Sequence, residues 1–104
     1  MSEFSAIKDS VKKWVENNLK DFNENGLSVT VEIDNLRAYR VIFQSDLGIA
    51  EAAINKPDFA PYRYIDFGIF FDSEKAEIFF YDKKGDTAEY IIESISTKLK
   101  KLYN

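Results

Sequence analysis

The chain contains no cysteine and no histidine. The first absence removes disulfides and thiolate chemistry and fits a reducing compartment. The second removes the commonest general base, the commonest metal ligand and the usual switch near neutral pH. Glycine is also sparse: four residues, scattered singly, form no phosphate-cradling loop. The serines sit in helix caps, turns or a helix flank, with no nucleophile elbow around them. No carboxylate cluster has recognisable metal-ligand spacing. Asp82 and Asp86 flank Gly85 but lack the remaining oxygen ligands of a calcium loop, so this segment reads as a turn followed by a cap.

No apolar run approaches the length of a membrane span, and the first residues lead into an amphipathic helix rather than a signal peptide. The expectation is a cytoplasmic protein. Basic charge is in short supply as well. A net charge of −4 disfavours nucleic acid, whose binding needs a basic stripe to displace counterions. Lys98, Lys100 and Lys101 do cluster, but in the last turn of a helix, where cations complement its dipole.

What the chain has in quantity is aromatic side chains, densest over residues 62–82. This stretch reads as two long strands joined by a polar turn at Asp72, Ser73, Glu74 and Lys75. Ile65, Phe67, Ile69 and Phe71 share one face, as do Ile78 and Phe80, and belong in a core. The other face carries Tyr62, Tyr64, Asp66, Gly68 and Phe70 from the first arm, and Glu77, Phe79 and Tyr81 from the second. A sheet with one wet face normally alternates apolar and polar cleanly, so these aromatics need a reason. Either another segment of the chain covers them, or they form a docking surface for a partner or a second copy.

The 104 residues fit one domain, spanning 1–104. Phe4, Ile7, Val11, Trp14, Val15, Leu19 and Phe22 recur at helical spacing, with Ser2 as N-cap and Asn25-Gly26 as the stop. Lys8, Asp9, Lys12, Lys13, Glu16, Lys20 and Asp21 fill the opposite side. Residues 27–34 alternate cleanly, Leu27, Val29, Val31 and Ile33 against Ser28, Thr30, Glu32 and Asp34. An Asp-Asn turn leads to a second strand over 38–44, with Tyr39, Val41 and Phe43 inward. Residues 49–55 have helical composition but strand-like alternation and a place between strands; strand is the reading adopted. A loop at 57–61, held extended by Pro57 and Pro61, carries Phe59, either a plug at the core's edge or a gate over a pocket. The last helix is expected to start at an Asp86 N-cap with Glu89 in a capping box. Ala88, Ile91, Ile92, Ile95, Leu99 and Leu102 form its buried stripe.

The predicted fold is therefore α+β: a two-layer sandwich, with a mostly antiparallel sheet of about five strands and both terminal helices on one face. The expected function is a small acidic protein-interaction module of inhibitor, antidote or chaperone-like type. It would bind a protein partner or itself through Tyr62, Tyr64, Asp66, Phe70, Glu77, Phe79 and Tyr81, without cofactor, nucleic acid or membrane. The element order alone is similar to that of secretion chaperones. The alternative is a small-ligand binder gated by the Phe59 loop. The only acid–base apparatus left to an enzyme would be Asp66 with a second carboxylate from Glu32, Glu51 or Glu77, or else Asp66 is neutralised by Arg40 or Arg63.

Overall fold

The computed structural model describes residues 2–57, 63–72 and 77–104. Helices α1 (Glu3–Asn17) and α2 (Leu19–Glu24) precede strands β1 (Ser28–Asp34), β2 (Tyr39–Ser45), β3 (Gly48–Ile54), β4 (Ile65–Phe71) and β5 (Glu77–Tyr81). Helix α3 (Ala88–Leu99) and a 3-10 turn at Lys100–Leu102 follow. The strands form one antiparallel meander in the order β1-β2-β3-β4-β5, with α1 packed against α3 in the second layer. This is the α+β sandwich expected from the pattern. The 57–61 loop, with Tyr62, and the turn expected at residues 72–75 lie largely outside the described residues, so the readings placed on Phe59 and Tyr62 do too.

The first helix is not continuous, as its stripe had suggested. It breaks at Asn18, whose side-chain amide donates to the Trp14 carbonyl at 2.7 Å while its backbone leaves the helical region. The break re-aims Phe22, which meets Trp14 and Phe43 edge-on at 5.5 and 5.4 Å. The stop at Asn25-Gly26 is as expected. Gly26 takes φ +85°, and the Leu27 and Gly26 amides close back on the carbonyls of Phe22 and Asn23, a Schellman arrangement. Lys8 departs from its expected solvent side. The residue is only 9% exposed, which the long aliphatic stem of a lysine allows.

Strand β1 slips phase. A bulge between Val31 and Ile33 sets Ile33 opposite Arg40 and Asp34 opposite Tyr39. One extra residue flips every side chain beyond it. Asp34, expected on the outer face, turns to the helices and pairs with Lys12 at 2.7 Å, while Ile33 turns outward. The segment with helical composition is strand β3. Ala50 and Ala52 are fully buried there, small enough to let the helix layer approach the middle of the sheet.

The central core is Val41, Phe43, Ala50, Ala52, Ile54, Ile65, Phe67 and Ile69 from the sheet, met by Val11, Val15, Ile91, Ile95, Leu99 and Leu102. Burying each large apolar side chain contributes about 1.5–3 kcal/mol. Tyr39 is buried with them, which pushes its phenol up to about 12. Helix α3 starts one residue later than expected. Thr87 is the N-cap, its hydroxyl accepting from the Tyr90 amide at 3.1 Å, whereas Asp86 accepts from the Lys83 amide within the preceding turn.

Asp82 fastens β5 to the entry of β4. Its Oδ1 accepts the backbone amides of Arg63, Tyr64 and Ile65 at 3.1, 2.8 and 2.8 Å, and the residue is 1% exposed. The Arg63 guanidinium lies alongside, with Nε 3.7 Å from Oδ2, an electrostatic contact too long for a hydrogen bond. Arg63 reaches on to Glu3 at the start of α1, 2.8 Å away.

Candidate functional site: the open sheet face

Side chains on the face opposite the helices follow from register. Gln44, Ile49, Phe70 and Glu77 make one cross-strand row, Ile42, Glu51, Gly68 and Phe79 the next, and Arg40, Ala53, Asp66 and Tyr81 a third. Phe70, Phe79 and Tyr81 remain 41, 45 and 37% exposed. They are linked through Phe79: Phe70 meets it edge-on at 5.9 Å, and it stacks with Tyr81 at 6.2 Å. Gly68 makes this possible. A Cβ there would stand 3.2 Å from two Phe79 ring carbons, so the ring lies over bare backbone.

The expected aromatic set is not all on this face. Tyr64 sits in the bend before β4, where strand alternation has not begun. Its ring packs edge-on against Phe4 of α1 at 5.5 Å, with the Arg63 guanidinium 4.5 Å from its centroid. Tyr64 therefore belongs to the helix side, and the open face gathers Asp66, Phe70, Glu77, Phe79 and Tyr81 without it. The face also includes Arg40, Ile42, Ile49 and Glu51, which the sequence reading did not count as site residues. Their parity relative to Phe70 carried the signal, once β2 and β3 were paired with β4.

The charges are unevenly paired. Arg40 Nη2 bonds Glu51 at 2.9 Å, and its Nε lies 3.4 Å from Glu32. Arg63 is taken by Asp82 and Glu3 on the other side of the sheet. Neither arginine neutralises Asp66, and no described cation lies within ion-pair distance of it. Burial, and then the charge of Glu51, hold the Asp66 carboxyl above its ordinary value.

That shift has a definite sign. Between the unfolded and folded values, the native state holds a proton that the unfolded chain has released, so the group's contribution to stability falls as pH rises through the window. Asp66→Asn is accordingly expected to raise the melting temperature at pH 7. The advantage should shrink as pH drops below the ordinary carboxylate value of 3.8. Thermal melts at several pH values check this; a destabilised variant at pH 7 contradicts it.

Glu51, Asp66, Gly68, Phe70, Phe79 and Tyr81 enclose a shallow notch of about 120 Å³. This is below the roughly 300–1,000 Å³ of small-molecule pockets and suits a single side-chain head group. A second cavity, of about 520 Å³, opens at the start of α1 between Phe4, Leu36, Arg37, Ala38, Asn55 and Lys56. No helix among the described residues is long and apolar enough to cross a membrane. What fold and surface define is thus an α+β sandwich with helices on one face of its sheet and an aromatic, acidic patch on the other. Comparison with protein-family models, curated proteins and solved structures finds no match to this chain.

Proposed function

We propose that this chain is a small protein-interaction module, of inhibitor, antidote or chaperone-like type, that docks through its open sheet face. The observation that carries the reading is the contiguous exposure of Phe70, Phe79 and Tyr81, with Ile49 beside them, on a face whose opposite side already holds the core. Aromatic anchors of this kind dominate binding energy at interfaces. On this reading Asp66 is a contact residue and not a general acid, and the module needs no cofactor.

The test is the pair of variants Phe70→Ser and Tyr81→Ser. Both sites are exposed, so folding stability should change by less than about 1 kcal/mol. Association, with a partner or a second copy, should weaken by at least about tenfold, as loss of an aromatic anchor does. Light scattering on the purified chain and quantitative pull-down read both quantities. A monomer whose bound partners are unchanged by either substitution overturns the proposal.

The 520 Å³ cavity favours a second reading, a small-ligand binder. Its volume falls within the usual range for ligand pockets, and Asn55 and Lys56 in its wall immediately precede Pro57. A ligand at a hundred times its dissociation constant stabilises the folded state by about 2.7 kcal/mol. Thermal shift against a metabolite panel should then show a clear hit, and a flat response removes this reading.

A further inference from the structure

The open face is charged as well as aromatic, and its charges select among occupants. Among the described residues it presents four carboxylates, Glu32, Glu51, Asp66 and Glu77, against one guanidinium, Arg40, which is already held between Glu32 and Glu51. Asp66 is half-buried, its carboxylate accepts no hydrogen bond from the described residues, and it stands beside aromatic rings at the edge of the notch. Carboxylates with aromatic walls are the chemistry that receives an ammonium or guanidinium group, since ring faces attract cations and more strongly as water leaves.

A second copy fits poorly. In a two-fold face-to-face pair the same patch meets itself, which would bring acidic rows together. Like-charge juxtaposition of that kind costs several kcal/mol. The net charge of −4 adds repulsion at longer range. Polyanions are disfavoured by the same argument.

Resting on the docking reading above, we infer that the partner is a protein presenting a basic segment, with a lysine or arginine head seated in the notch. Its charge lies against Asp66 and Glu51, and its stem or guanidinium plane lies against Phe79, Phe70 and Tyr81. Arriving there, the cation supplies a counter-charge that no described residue gives Asp66.

The experiment is an amide-resolved NMR titration of the full chain with a short amidated peptide of alternating lysine and glycine. The control is the same peptide with every lysine acetylated. The basic peptide should give saturable shifts centred on Glu51, Asp66, Gly68, Phe79 and Tyr81, weakening as salt is raised. The acetylated peptide should give none. The double variant Glu51→Gln/Asp66→Asn, and separately Phe79→Ala, should each reduce affinity by at least about tenfold while native spectral dispersion is kept. Equal binding of the acetylated peptide overturns the inference. So do shifts of the same residues that track protein concentration without peptide, though these leave docking through this face standing as self-association. A face silent to both peptides and to protein concentration removes this inference; the docking reading then stands or falls on the Phe70 and Tyr81 variants.

Discussion

Asp82→Ala should lower the stability of this protein by about 3–5 kcal/mol, the cost of removing one partner from a buried charged arrangement. Three backbone amides, those of Arg63, Tyr64 and Ile65, end on one oxygen of this carboxylate. With alanine the Arg63 amide would keep its bond to the residue 82 carbonyl, but the Tyr64 and Ile65 amides would lose the acceptor they have now, and each unsatisfied buried donor carries a desolvation cost. Among the described residues, the Arg63 guanidinium would keep Glu3, a 3.4 Å bond to the Asp86 carbonyl and its place over the Tyr64 ring, but no buried carboxylate. Because the latch joins β5 to the entry of β4, the damage should be local first, with faster amide exchange at residues 63–65 before the rest of the sheet. Asp82→Asn keeps an acceptor oxygen but not the charge, so its loss should be clearly smaller. Chemical denaturation of both variants orders them; an alanine variant within 1 kcal/mol of the parent would mean the latch is dispensable.

Phe43→Ala should cost a similar amount, about 3–5 kcal/mol, by leaving a cavity that its neighbours can only partly close. Phe43 is fully buried and is the sheet's contribution to a three-ring cluster with Phe22 of α2 and Trp14 of α1. Trp14 is the single tryptophan, so its fluorescence reports this cluster alone. The variant should show red-shifted emission in the native state as well as an earlier unfolding midpoint, because α2 is only six residues long and depends on that contact. A destabilised variant with unchanged emission would place the loss elsewhere in the core.

Asp66 behaves in the opposite way to Asp82. One carboxylate is buried with three backbone donors on its Oδ1; the other is half-buried, has no counter-charge among the described residues and is expected to cost stability at neutral pH. Residues that diminish stability and sit among exposed aromatics are the kind retained for binding. This contrast is why the two aspartates, near one another on opposite faces of the same hairpin, are assigned different roles.

The apolar stripes of α1 and α3 and the period-two alternation of β2, β4 and β5 were legible in the sequence, and with them the layers and the exposed parity of Phe70, Phe79 and Tyr81. These are local signals, set by where successive side chains point. The burial of Asp82 was missed: it was read as a turn residue, although two positions beyond Phe80 it falls on the core-facing parity. The β1 bulge that exchanges Ile33 for Asp34, the bend that returns Tyr64 to Phe4, and the break at Asn18 were not legible. Each departs from a local period, and the first two are matched to a partner distant in sequence, Lys12 for Asp34 and Phe4 for Tyr64. The sequence alone determined which face of the hairpin would be oily and which mixed. Only the tertiary structure decided which of the mixed residues share a surface and which charges on it lack a partner, because cross-strand register and ion pairing depend on contacts between segments that local periodicity does not encode.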